Sequence, residues 1–298
     1  SKFRKNIKQM KILVIGGCGF LGTHLSNELV KKGHKVTVLD LKKKNRLNKK
    51  IKFIKGDLGS LKDLKKAFKG CSVVFHLGGI SDIKYSIINP LKTIQTNILG
   101  TTNVLELCVK KKIKKVIFAS TIYVKSSQGG FYKVSKQCSE NLIKEYSKRY
   151  KLNYTIIRYG SVYGPGSSVN NGITKILNTF IKRKKFQYEG TKKAKRRFIY
   201  VADAVKASIR MIDEKFNNKS VLITGLNLMK IKDVMNKISK ILKTNQKPKF
   251  KNKQELGHYN ISPYGMKKDK TLNYFLENKK DFKNNINLLY KSLRYKNS

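Results

Sequence analysis

The turn that follows the first apolar run constrains this chain most. Lys11–Ile15 reads KILVI, long enough for a buried strand, and Gly16, Gly17, Gly19 and Gly22 follow at once. Over 23–32 apolar residues recur at Leu25, Leu29 and Val30, a helical spacing that Gly33 ends. Residues 36–39 then form a second strand, with Asp40 at its carboxyl end. Glycines let the backbone turn tightly and approach a pyrophosphate, while the helix N-terminus supplies N–H donors and a positive dipole end. An acid at the end of the second strand can hold a ribose hydroxyl. The G-x-G-x-x-G spacing of Gly17, Gly19 and Gly22 is weak alone. Combined with both strands, the helix and Asp40, it predicts a dinucleotide-binding turn rather than a strand–helix turn without a ligand.

The same alternation continues downstream. Residues 51–55 and 72–76 read as strands, a short helix lies between them over 61–69, and Gly56-Asp57-Leu58 and Leu77-Gly78-Gly79 sit just past the strand ends. A long helical pattern over 93–110 contains Asn97. A strand over 115–119 runs into Ser120-Thr121, and a helix over 131–150 carries Tyr132 and Lys136 near its start. Another strand covers 154–158, before a Gly/Pro-rich loop. Helix Gly172–Arg183, an extended piece over 198–201, a helix over 203–213 and a strand over 220–224 follow. From Leu226 the pattern weakens, although Leu272, Tyr274 and Phe275 suggest that the tail packs. Strands separated by helices imply a doubly wound parallel sheet with ligands at the strand carboxyl ends.

Composition bears on the partner. The net charge is +50, carried by 58 Lys and only nine Arg spread through all segments. Nucleic-acid readers favour Arg for bidentate contacts, so this charge predicts only nonspecific attraction to polyanions. The four cysteines have no metal spacing and read as reduced thiols of a cytoplasmic protein. No metal site and no membrane span is expected.

Tyr132-x-x-x-Lys136 is the next candidate. With 15 Tyr and 58 Lys, chance gives about three such pairs, and the chain has three, the others being Tyr188/Lys192 and Tyr264/Lys268. Only the first opens a helix just after a strand that ends in hydroxyl residues. Side chains at i and i+4 share a helix face, so phenol and ammonium can enter one cleft, where the cation would lower the phenol pKa.

The ordered series GGCGFLG, VTVLD, KGDL, HLGG, NPLKTIQTNILGTTNVLE, VIFAST, FYKVSK, IIRYGSVYGPG and RRFIYVADAVKA resembles the extended short-chain dehydrogenase/reductase family, in its nucleotide-sugar epimerase/dehydratase branch. The resemblance covers about residues 10–225. It implies an α/β fold, a Rossmann-type doubly wound parallel sheet with a small C-terminal substrate domain. In that scheme 1–9 is a basic arm, 10–165 and 198–225 bind NAD, and 166–197 and 226–298 bind substrate.

By the same resemblance, Gly16, Gly19, Phe20, Leu21, Gly22, Asp40, Asp57, Leu58, Leu77, Gly78, Gly79, Asn97, Ser120 and Tyr159 would contact the cofactor, together with Tyr132 and Lys136. Asp40 favours NAD over NADP, although Lys42, Lys43 and Arg46 lie nearby. Thr121, Tyr132 and Lys136 would be the catalytic group, with Ser120 the alternative hydroxyl, and Thr121, Ser161 and Arg196 would meet the substrate. The implied activity is that of a UDP-glucose 4-epimerase-like enzyme, passing hydride to NAD and back. A dehydratase usually carries Asp-Glu after the catalytic Thr; Ile122-Tyr123 stand here, and neither reads as that acid–base pair. A nucleotide-sugar reductase, or a catalytically silent RNA-associated relative, is the alternative. A homodimer pairing the helices near 93–110 and 131–150 is also implied.

Overall fold

The computed structural model describes residues 9–253, 257–258, 271–276 and 282–295. Residues 1–8 of the predicted arm and the Tyr264/Lys268 pair lie outside the described residues.

Eight parallel strands form the main sheet. Six carry the site: β1 (Lys11–Ile15), β2 (Lys35–Asp40), β3 (Lys52–Lys55), β4 (Val73–His76), β5 (Lys115–Thr121) and β6 (Tyr154–Tyr159). Their spatial order is β3-β2-β1-β4-β5-β6, continued by Lys219–Gly225 and then Leu272–Leu276. The strand order reverses between β1 and β4, so the crevice outside their carboxyl ends is where a doubly wound sheet binds ligands.

Strand side chains alternate between two cores. Ile12 and Val14 of β1 pack beneath helices Phe20–Lys31 and Val201–Arg210, while Leu13 and Ile15 face helices Leu61–Ala67 and Gly100–Lys110. Both faces are covered, which explains why the strands read as unbroken apolar runs rather than as alternating patterns. The strand Leu272–Leu276 falls in the segment assigned to the substrate side, yet it extends the main sheet beside Lys219–Gly225. The remaining late elements form small sheets, Leu228–Lys230 with Lys195–Tyr200 and Ser161–Tyr163, and Gln187–Tyr188 with Lys249–Phe250.

The helix predicted over 93–110 opens three residues earlier, at Pro90, and contains one π-turn over Gln95–Leu99. A π-turn releases a carbonyl from the helical ladder. Here the Asn97 carbonyl accepts hydrogen bonds from Thr101 Oγ1 at 2.6 Å and Ser139 Oγ at 3.0 Å. Among the described residues no helix is long and apolar enough to cross a membrane.

Candidate active site

A cavity of about 960 Å³ opens at the carboxyl ends of β1, β2, β4 and β5. Its floor is backbone. Gly16, at φ +74°, stands so close to the turn after β4 that a Cβ would lie 2.6 Å from Gly78 N. A Cβ on Gly22 would meet Gly16 O at 2.2 Å, so helix Phe20–Lys31 docks against the turn only without one. This helix has no side-chain cap and no acid in its first turn. The first-turn N–H groups of Phe20, Leu21 and Gly22 therefore face the cavity as anion donors.

At the far end of β2 the Asp40 carboxylate accepts from the N–H of Cys18 and of Leu41, both at 2.8 Å. These two bonds fix the carboxylate at the cavity edge. Six cationic side chains line the cavity (Lys42, Lys44, Lys92, Lys136, Lys175 and Arg196) against three acids (Asp40, Asp57 and Asp82), a balance that suits a ligand with several phosphates. The glycine cradle, the uncapped helix and the cavity's size all fit a dinucleotide.

The reactive side chains gather on the other wall. Thr121 ends β5, and Tyr132 and Lys136 lie in the first turns of helix Gly130–Tyr150. All three are buried while lining the cavity. The Thr121 hydroxyl lies beside the Tyr132 phenol and draws its pKa down. Ser120 turns the other way and donates to Glu140 Oε1 at 2.6 Å. Tertiary structure thus separates two hydroxyls that are adjacent in sequence, and it is Thr121 that faces the phenol.

Two expectations need correction. Lys136 was expected to lower the Tyr132 pKa; instead, burial pushes the phenol up to about 12, and only the Thr121 hydroxyl pulls it down. The ammonium is engaged elsewhere: Lys136 Nζ donates to Ala119 O at 2.8 Å and sits 4.5 Å above the Phe118 ring. Asn97, expected to touch the cofactor, does not line the cavity. Its amide accepts from Ile80 N at 2.7 Å and donates to Ile80 O at 2.9 Å and Ser135 Oγ at 2.9 Å, so it braces the turn after β4. Every other residue expected to contact cofactor or substrate lines the cavity, among them Asp57, Leu58, Leu77, Gly79, Ser161 and Arg196, whereas Gly17, Lys43 and Arg46 do not. Tyr159 borders it with its hydroxyl turned to Ser208 Oγ at 2.6 Å.

Burial also pushes Lys136 down to about 8, opposed by the nearby Glu140 charge. Glu140 pairs with Arg158 at 2.6 Å, with the two side chains 4% and 7% exposed. The sequence analysis passed over this pair. Its signals were legible: an acid four residues after Lys136 on one helix face, and a lone Arg inside the apolar strand YTIIRY. Tyr123 and His258, which also line the cavity, had no signal linking them.

The Lys136 shift sets an expected outcome. Below pH 8 the ammonium is charged in both folded and unfolded chains, and its burial cost is present in full. Between pH 8 and 10.5 the unfolded chain keeps a proton that the folded chain has lost, so stability rises with pH. Lys136→Met is therefore expected to be more stable at pH 7 by about 1–2 kcal/mol, after the lost bond to Ala119 is offset. Urea unfolding across this range should show the margin closing; a margin that widened with pH would contradict the account.

Comparison with known proteins follows this geometry. A sequence model described as the NAD dependent epimerase/dehydratase family matches residues 12–224. The chain belongs to that family. It is 31% identical over 264 residues to UDP-N-acetyl-alpha-D-glucosaminuronate decarboxylase of Bacillus cytotoxicus, covering 80% of this chain and 82% of that protein. With UDP-glucuronate 4-epimerase of Thermodesulfobacterium geofontis it shares 28% identity over 225 residues, 66% of this chain and 70% of the other. The crystal structure of UDP-glucose 4-epimerase from Thermotoga maritima with UDP-glucose superposes with a TM-score of 0.85 at 22% identity, covering 97% of this chain and all of the other. At that identity the likeness shows the shared epimerase/dehydratase fold, an eight-stranded parallel sheet flanked by helices.

Proposed function

We propose that this family member is an NAD-dependent epimerase of a nucleotide-diphosphate sugar, related in activity to the UDP-sugar 4-epimerases. The observation that carries the reading is one cavity joining the glycine turn to Thr121, Tyr132 and Lys136. Gly16, Gly19, the N–H groups of 20–22 and Asp40 would hold NAD, with Lys136 at its reactive end. When bound, NAD supplies a hydride acceptor and, in its oxidised form, a positive charge near the phenol. Tyr132 takes the proton of the sugar hydroxyl, and the Thr121 hydroxyl orients the substrate oxygen and stabilises the phenolate. The keto sugar then turns over, and Tyr132 returns the proton. Arg196, on strand Lys195–Tyr200, lines the cavity near Ser161 and suits the diphosphate.

Helix Gly172–Arg183 and the start of strand Lys195–Tyr200 supply Lys175, Ile176 and Arg196 to the cavity, which supports the substrate side assigned to 166–197. The experiment is incubation with NAD and a panel of nucleotide sugars, followed by NMR of the products. An epimerase converts a substrate while net reduced nicotinamide stays flat. Stoichiometric cofactor consumption would instead support a reductase.

Ile88, Leu91, Ile94, Leu99 and Val134 are exposed on the helices of 83–110 and on Gly130–Tyr150, an apolar surface that supports a homodimer through them. Leu91→Asp combined with Leu99→Asp is expected to shift the sedimentation mass to that of a monomer. An unchanged mass would remove this assignment.

A further inference from the structure

Ile122 and Tyr123 occupy the positions where a dehydratase carries its acid pair, and the sequence gives neither a proton-handling role. The fold gives Tyr123 a partner. Its hydroxyl lies 2.8 Å from Nδ1 of His258, a residue 135 positions away. Both line the cavity that holds Tyr132. The Tyr123 ring meets the Tyr132 ring edge-on at 6.4 Å between centroids, and the His258 ring at 6.0 Å. Tyr123 is also tied to the reacting hydroxyl, since its N–H donates to Thr121 Oγ1 at 3.3 Å.

The position of His258 is set by its neighbour. Gly257, at φ +75°, lies against helix Ile83–Ile88 so closely that a Cβ would meet Ile83 Cγ2 at 2.5 Å. Only a residue without a side chain lets the chain pass there, and this approach delivers the imidazole to Tyr123. A phenol alone is a poor base near neutral pH, whereas a phenol whose proton can pass to an imidazole is a competent one.

We propose that Tyr123 and His258 form a second proton-transfer pair, which exchanges the hydrogen on the sugar carbon next to the ketone. The inference rests on the reading of the site as one that generates a keto sugar. A ketone acidifies the hydrogens on its neighbouring carbons. In the step, the Tyr123 hydroxyl proton moves to His258 Nδ1 and the Tyr123 oxygen takes the C–H proton. The C–H electron pair becomes the carbon–carbon double bond of an enolate, whose oxygen accepts hydrogen bonds from Thr121 and Tyr132. Reversal returns a proton to that carbon, so the step needs no oxidant and no co-reactant. Its chemical consequence is hydrogen exchange, or inversion, at a centre beside the one inverted by hydride transfer.

The test uses a ready-made ketone, UDP-4-keto-6-deoxyglucose, with the purified full chain in D2O and no added NAD. Proton NMR follows the signals of the two carbons flanking the carbonyl. One of them is expected to wash out at least about 100-fold faster than in buffer alone, with the rate falling at least about 10-fold in both Tyr123→Phe and His258→Gln. Binding of the ketone, read by its protection of each variant against thermal unfolding, separates lost chemistry from a lost fold. His258→Gln keeps the test open if Tyr123→Phe does not fold. No exchange above buffer overturns the proposal, as does exchange that both variants retain. Because the probe is already oxidised, the outcome is independent of the NAD reaction. A chain that epimerises its sugar in D2O yet exchanges nothing on the ketone keeps its proposed function and loses this pair.

Discussion

Tyr132→Phe is expected to lower the turnover of nucleotide-sugar epimerisation by about 1,000-fold, with little change in the substrate concentration for half-maximal rate. The substitution keeps the buried ring and removes one hydroxyl, which lies beside Thr121. Packing is preserved, so a loss falls on the proton transfer and not on the fold. The size follows from the work asked of the group: the variant loses the phenol assigned to accept the sugar proton as hydride departs. Thr121→Ala is expected to cost less, about 10- to 100-fold, because it removes the orienting partner and leaves the base in place. Ser120→Ala should leave turnover nearly unchanged, since that hydroxyl is directed at Glu140. Product NMR on each variant decides the matter. A Tyr132→Phe variant retaining a tenth of the native rate would exclude the mechanism, and a Ser120 effect as large as that of Thr121 would reverse the assignment of the hydroxyl.

Glu140→Ala is expected to destabilise the protein by about 3–5 kcal/mol. Arg158 reaches Glu140 through Nε at 3.0 Å and Nη2 at 2.6 Å, and Ser120 donates to the same carboxylate. Removing the carboxylate takes two hydrogen bonds from the buried guanidinium, which keeps its bond to Thr271 Oγ1 at 2.6 Å, and one acceptor from the buried Ser120 hydroxyl. The desolvation of Arg158 is then less well offset, whereas replacing both partners, Glu140→Leu with Arg158→Met, is expected to recover most of the loss. Glu140→Ala also removes the charge that holds the Lys136 pKa up, so the ammonium should titrate below its present value of about 8. Urea unfolding of the single and double variants at pH 7 measures both costs. A single-variant loss below about 1 kcal/mol would show that water reaches Arg158 and that the pair contributes little.

The amino-acid sequence alone determined the features that depend on near neighbours along the chain. Gly16 and Gly22 were legible because Gly16 takes φ +74° and a Cβ on Gly22 would meet Gly16 O at 2.2 Å, so local geometry favours glycine at both. The sheet strands from β1 to Lys219–Gly225 were legible because burial on both faces demands continuous apolar runs. Tyr132 and Lys136 were legible as a pair because helical periodicity sets them on one face.

Tertiary structure alone decided the rest. Leu272–Leu276 joins the sheet beside Lys219–Gly225 although no local pattern marks it as an eighth strand, since pairing is chosen by which edge is free. The choice of Thr121 over Ser120 depends on where Tyr132 and Glu140 lie around the end of β5. The direction of the Lys136 ammonium was set by the Ala119 carbonyl, a hydrogen-bond acceptor supplied by another element. Tyr123 and His258 meet only because Gly257 lets a distant segment close on helix Ile83–Ile88. Propensity and periodicity act over a few residues, whereas these contacts arise when separated segments compete for the same buried space and the same polar partners.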